Sequence, residues 1–232
     1  MTPREAIPRS WTDHLTDGSI GLGLDLGTTE NETSNPSALN VLQQSGLHFL
    51  TRFLVAWKSD NPDVTIGILQ VVFDDLKAAG ITVRRLCIDA SNETFFAKRL
   101  QQIFSRYCIV ELVKGGQNIK HEGIELPSKM MLGNLLINCI EDGHFSLPAG
   151  QFIPDDFRLV QRDRGSFTTA QGKGGWHGDT FDGSKLALWA LLRGGGKVQA
   201  HAVDIRGGSS AALRPGLIGP IKRILQKIRL NS

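Results

Sequence analysis

No stretch of this 232-residue chain approaches the ~20 consecutive apolar residues of a membrane-spanning helix. The first residues also lack the apolar core of a secretory signal. Both absences point to the cytoplasm and away from a membrane. Cysteine is scarce: Cys87, Cys108 and Cys139 lie in apolar segments at none of the spacings that zinc requires. They read as reduced core residues rather than disulfides or metal ligands. No Gly-x-x-x-x-Gly-Lys-Ser/Thr phosphate loop occurs, since Gly172-Lys173-Gly174-Gly175 lacks that spacing, so ATP hydrolysis is not expected. There is no internal repeat. Surplus charge is small, at +3, which permits a polyanionic partner without demanding one; the placement of the basic residues matters more than their number.

What is present is ordinary for a soluble globular protein, with 41% hydrophobic and 21% charged residues, and the length suffices for one large domain. Residues 1–18 are polar, contain two prolines, and read as an N-terminal linker. A core domain over 19–210 and a C-terminal tail over 211–232 complete the division. Strands are expected at 19–27, 38–44 and 47–57, with Ser45-Gly46 as a turn. A helix begins at Asp60-Asn61-Pro62-Asp63 and presents Ile66, Leu69, Val72, Phe73 and Leu76 on one face until Gly80 stops it. A fourth strand (82–89) precedes a helix capped by Ser91 or Asn92, with Phe95, Phe96, Leu100, Ile103 and Phe104 turned inward. A fifth strand (109–113), a helix (127–140), a β-rich stretch with a glycine-rich tip (162–175) and a last helix (180–192) follow. The tail mixes Ile221, Ile224, Leu225 and Ile228 with Lys222, Arg223, Lys227 and Arg229, a basic amphipathic helix. Three leading antiparallel strands, a helix, then alternating strand and helix define an α/β ribonuclease H-like mixed sheet flanked by helices. That order sets strands one and four side by side.

Three aspartates end or open core elements. Asp25 lies in Ile20-Gly21-Leu22-Gly23-Leu24-Asp25-Leu26, Asp89 closes the fourth strand, and Asp179 opens the last helix. Burying a carboxylate is costly unless it is paired or bound to a cation. A shared Mg²⁺ or Mn²⁺ site resolves the cost, because hard cations take carboxylate oxygens. Hydrolysis of a phosphodiester needs an activated water and neutralised charge on the attacking and leaving oxygens, which two ions about 3.5–4 Å apart provide. Asp25 is the natural bridge, with Asp89 and Asp179 flanking it. Asp182, three residues on, competes for or shares the third place. Asp74 and Asp75 read as a solvated helix face. His177 is an auxiliary candidate, as proton shuttle or phosphate contact. Lys114, Lys120 and Lys129 after the fifth strand, with Arg162, Arg164 and Lys173 around the glycine-rich tip, are candidates for contacts to a phosphate backbone.

Three segments resemble the nuclease domain of phage terminase large subunits. They are Gly23-Leu24-Asp25-Leu26-Gly27, Cys87-Ile88-Asp89-Ala90-Ser91, and His177-Gly178-Asp179-Thr180-Phe181 leading into Leu186-Ala187-Leu188-Trp189-Ala190. A basic hairpin before the third acid is also similar to that family, and the likeness covers roughly residues 19–193. The resemblance implies an endonuclease dependent on Mg²⁺ or Mn²⁺ that cuts concatemeric double-stranded phage DNA during packaging in the infected bacterial cytoplasm. It makes Asp25, Asp89 and Asp179 catalytic metal ligands. It also implies a terminase ATPase domain, a small terminase subunit and a portal protein as partners, with the chain as an excised domain or a split gene product. Asp182-Gly183-Ser184-Lys185 departs from the family's apolar helix start and leaves Asp179 against Asp182 open. Two alternatives stand beside this reading. Gly23-Leu24-Asp25-Leu26-Gly27-Thr28-Thr29 resembles the first phosphate turn of actin-like ATPases and sugar kinases, and a Holliday-junction resolvase or transposase core would use the same acids.

Overall fold

The computed structural model describes residues 2–28, 35–150, 152–163, 166–170, 172 and 177–195. Three strands lead, β1 (Ile20–Asp25), β2 (Ser37–Ser45) and β3 (His48–Trp57). Then come α1 (Pro62–Ala78), β4 (Val83–Asp89), α2 (Thr94–Phe104) and β5 (Ile109–Val113). A small hairpin, β6 (Asn118–His121) with β7 (Ile124–Pro127), precedes α3 (Ser128–Glu141) and the two-residue β8 (Phe145–Ser146). The chain continues through α4 (Phe152–Arg158), a second hairpin of β9 (Val160–Asp163) and β10 (Ser166–Thr169), and α5 (Asp179–Leu192).

The main sheet has the order β5-β4-β1-β2-β3-β8. β1, β2 and β3 are antiparallel, whereas β4 runs parallel to β1 and β5 parallel to β4. The strand β1 shows why helices cover both faces. Side chains alternate across a strand, so Ile20, Leu22 and Leu24, all fully buried, point into one core with Leu69, Val72 and Phe73 of α1 and Leu100 and Phe104 of α2. Gly21 and Gly23 point the other way, under α5. There Leu186, Leu188 and Trp189 join Met131, Leu135 and Leu136 of α3 in a second core. Each fully buried aliphatic side chain contributes about 1.5–3 kcal/mol, so β1 is stabilised chiefly from the α1/α2 side. Its other face is bare backbone on which a helix rests.

Asn61 caps α1 by accepting the Asp63 N–H at 2.9 Å, and Pro62 opens the helix. The helix α5 is tethered at both ends. At its start the buried carboxylate of Asp156 accepts the N–H groups of Gly178 (2.7 Å) and Thr180 (2.8 Å) and the Thr180 hydroxyl (2.5 Å). At its end Glu111 accepts the Trp189 indole N–H at 3.1 Å and pairs with Arg85 at 2.5 Å. All three cysteines are buried and unbridged.

Several expectations change. The lead-in is not a free linker: Ile7 and Trp11 are buried in the α1/α2 core, and Arg4 and Trp11 both donate to Asp75. Asp75 is thus an anchor for the N-terminal segment rather than part of a solvated face. Phe95 is not inward but 91% exposed. The helix α2 starts at Thr94 without a side-chain cap from Ser91 or Asn92, and its inward stripe is Ala97, Leu100 and Phe104; Phe95 falls on the opposite side of the turn. The hairpin β6–β7, the strand β8 and the helix α4 add to the expected elements. The basic tail, 211–232, lies outside the described residues.

Candidate metal centre

The site is built where β1 and β4 end. Gly23 is in register with Cys87 and Leu24 with Ile88, so the next residues on these parallel neighbours, Asp25 and Asp89, emerge side by side at the carboxyl edge of the sheet. The third side comes from α5. A side chain at Gly23 would put its Cβ 2.1 Å from the Gly183 carbonyl oxygen and 2.2 Å from the Ala187 nitrogen. Helix backbone therefore lies directly on strand backbone. Asp182, adjacent to Gly183, is delivered over Asp25 by that contact. One oxygen from each of Asp25, Asp89 and Asp182 lies within 4.8 Å of the other two. The turn into α5 depends on Gly178, whose left-handed φ of 81° places it against Val160 and Thr169 of the second hairpin.

Of the expected acids, Asp25, Asp89 and Asp182 converge. Asp179 stands outside that set, one turn before Asp182, but lines the same pocket and accepts the His177 N–H at 3.3 Å. The pocket encloses about 300 Å³ and also includes Lys129, His177 and Lys185. His177 turns a buried ring Nε2 that has no hydrogen-bond partner among the described residues. Lys129, exposed at the start of α3, is the basic candidate that reaches the pocket. Lys114 and Lys120 are exposed beside β5 and on β6, and Arg162 is exposed on β9. Arg164 and Lys173 lie outside the described residues. Two further participants escaped the sequence reading. Lys185 places its Nζ 2.5 Å from Asp182 Oδ1, and Asp156 holds the turn before α5. An i,i+3 acid–lysine pair is a visible signal for the first; nothing local marks the second.

Burial pushes the Asp25 carboxyl well above the usual carboxylate range, and the neighbouring charges of Asp182, Asp89 and Asp179 add to it, with Lys185 opposing. Burial, and then Asp156, raise Asp179 to about 7 against the restraining His177 N–H. An all-oxygen set of partly buried carboxylates, with a single lysine against it, suits a hard divalent cation such as Mg²⁺ or Mn²⁺ and not a metal that prefers sulfur or imidazole. A raised folded pKa costs stability once the pH exceeds the unfolded value near 3.8, and the cost is complete above the folded value. The metal-free protein should therefore lose Tm between pH 5.5 and 8, and Mn²⁺ should raise Tm more at pH 8 than at pH 5.5. Thermal unfolding at both pH values in chelator and in Mn²⁺ checks this; a metal-free Tm that climbs over that interval contradicts it.

A mixed sheet of three antiparallel strands followed by parallel ones, with acids meeting at the ends of β1 and β4 under a covering helix, is a ribonuclease H-like arrangement. Solved structures place it more closely: this is the fold of the terminase nuclease domains. The large terminase nuclease of thermophilic phage G20c, solved with bound magnesium, matches 75% of this chain and 82% of its own at 18% identity and a TM-score of 0.52. The human cytomegalovirus terminase nuclease domain matches 81% of this chain and 92% of its own at 12% identity and a TM-score of 0.50. The large terminase of a second thermophilic bacteriophage matches 82% of this chain at 13% identity and a TM-score of 0.51, and the chain spans 42% of it. No protein-family model matches the chain, and no curated protein sequence matches it.

Proposed function

We propose that this chain is a Mg²⁺- or Mn²⁺-dependent endodeoxyribonuclease that cuts concatemeric double-stranded DNA during phage genome packaging. The observation that carries the reading is the convergence of Asp25, Asp89 and Asp182 within 4.8 Å at an open sheet edge. Asp25, Asp89 and Asp182 would hold the ions, Asp25 in common and Asp89 and Asp182 each toward one of them, and Asp179 would assist on the Asp182 flank. When bound, the pair supplies water activation and charge neutralisation on the attacking and leaving oxygens. The chain's own residues do the rest. The strand ends hold the carboxylates in place, Lys129 draws a phosphate to the mouth, and His177 offers a ring nitrogen inside it. Lys114, Lys120 and Arg162, with Arg164 and Lys173, extend the phosphate track, so binding should follow salt concentration and ignore sequence. By the same reading, a terminase ATPase domain, a small terminase subunit and the portal are partners in the cytoplasm of the infected bacterium. Among the described residues no helix is long and apolar enough to cross a membrane.

Supercoiled plasmid incubated with Mn²⁺, Mg²⁺, Ca²⁺ or chelator tests the proposal. Nicked and linear products are expected with Mn²⁺ and Mg²⁺, and little with Ca²⁺, whose looser coordination misplaces the attacking water. Cleavage that survives chelator, or none with any ion, would sink it. A four-way junction cut far faster than duplex would redirect the reading to a resolvase.

A further inference from the structure

Lys185 is the buried cation in this pocket that the proposed chemistry leaves unused. Its side chain is only 7% exposed, whereas Lys129 at the mouth is exposed. A buried ammonium is costly unless it is paired, and its direct partner is Asp182, a carboxylate of the converging set. Lys185 sits one helical turn after Asp182 on a helix pressed backbone-to-backbone against β1, so the ammonium is held at the acids and not in solvent. It also acts on Asp25 across the cluster. Against the three converging carboxylates the ammonium supplies one positive charge, part of what a second divalent ion would bring. The ammonium occupies the Asp182 flank, where a second ion would take its oxygen.

We infer that Lys185 is a positioning residue that stands in for the second divalent ion until DNA arrives. The free protein takes one ion, held by Asp25 and Asp89. The second enters on the Asp182 flank when an incoming phosphate draws the ammonium away. The site is thereby kept from being fully loaded before a substrate is seated. This rests on the metal-nuclease reading of the same pocket and deepens it.

Counting Mn²⁺ by calorimetric titration and electron paramagnetic resonance, without DNA, decides the matter. Wild-type protein should bind one Mn²⁺ tightly. Lys185→Met and Lys185→Gln should bind a second at least about tenfold more tightly than wild type, while Lys185→Arg, which keeps the charge, should stay at one. Two ions of equal affinity in wild type, or neutral variants that remain at one, overturn the inference and leave the nuclease reading standing. No binding in any form overturns both. Thermal unfolding of each variant confirms that it is folded, and should both neutral variants fail to fold, the wild-type count repeated with an uncleavable phosphorothioate duplex decides: a second Mn²⁺ is expected, and a count that stays at one overturns the inference.

Discussion

Asparagine in place of Asp25 should abolish plasmid cleavage, by about a thousandfold or more, while making the metal-free protein more stable. The two effects share one cause. In the metal-free protein the Asp25 carboxyl is held well above the usual range by burial and by Asp182, Asp89 and Asp179, so at neutral pH its ionised form works against folding. The amide removes that charge at nearly the same volume. A gain of about 1–2 kcal/mol corresponds to a Tm rise of several degrees for a domain of this size. The same change removes one of the three converging carboxylates that the proposed ions would need. A thousandfold loss is about 4 kcal/mol of transition-state stabilisation, a magnitude within reach of metal-borne catalysis. Nicking rates in Mn²⁺ and Tm values in chelator check the two halves separately. A variant that cuts like wild type would remove Asp25 from the site, and a sharp fall in metal-free Tm would show that it serves the fold instead.

Valine at Gly23 should be strongly damaging to both the fold and the site. Its Cβ would lie 2.1 Å from the Gly183 carbonyl oxygen and 2.2 Å from the Ala187 nitrogen. Both are backbone atoms, so no rotamer change relieves the clash and α5 must lift off the sheet. Overpacking of that kind costs about 1–3 kcal/mol when side chains can adjust and more when they cannot. A loss of about 3–5 kcal/mol in urea unfolding is expected, together with lost Mn²⁺ binding, because Asp182 rides on the displaced helix. Gly116, with nothing within 4 Å, is the control, and Gly116→Ala should leave the unfolding midpoint nearly unchanged. If Gly23→Val unfolds like wild type, α5 is not seated as described.

Much of this arrangement is legible in the chain. The alternation Ile20-Gly21-Leu22-Gly23-Leu24-Asp25 declares a strand with one greasy face, one bare face and an acid at its end, and the element order sets β4 beside it. What stays hidden has physical reasons. The hairpin β6–β7 turns through Glu122 and Gly123, both at positive φ, and a glutamate there is not the Asn-Gly signal that announces such a turn. The helix α4 has only seven residues, too few for a helical period to stand out. Phe95 reads as inward only while the first turn of α2 is free to shift by a residue or two. The choice between Asp179 and Asp182 needs the rotation of α5 about its axis. That rotation is set by Gly183 resting against the Ala38 carbonyl, 3.1 Å from where its Cβ would be, a tertiary contact no local pattern records.

The double tether on α5, Asp156 at one end and Glu111 at the other, bears on how such an enzyme would be switched. A rod clamped at both tips and bedded on main chain along its middle has no play with which to slide or tilt. The backbone placement of the acids is then inherited from the scaffold, so loading can change only through side chains that move upon it, Lys185 among them. Control of cutting then falls to the mobile groups above a floor of main chain that stays put.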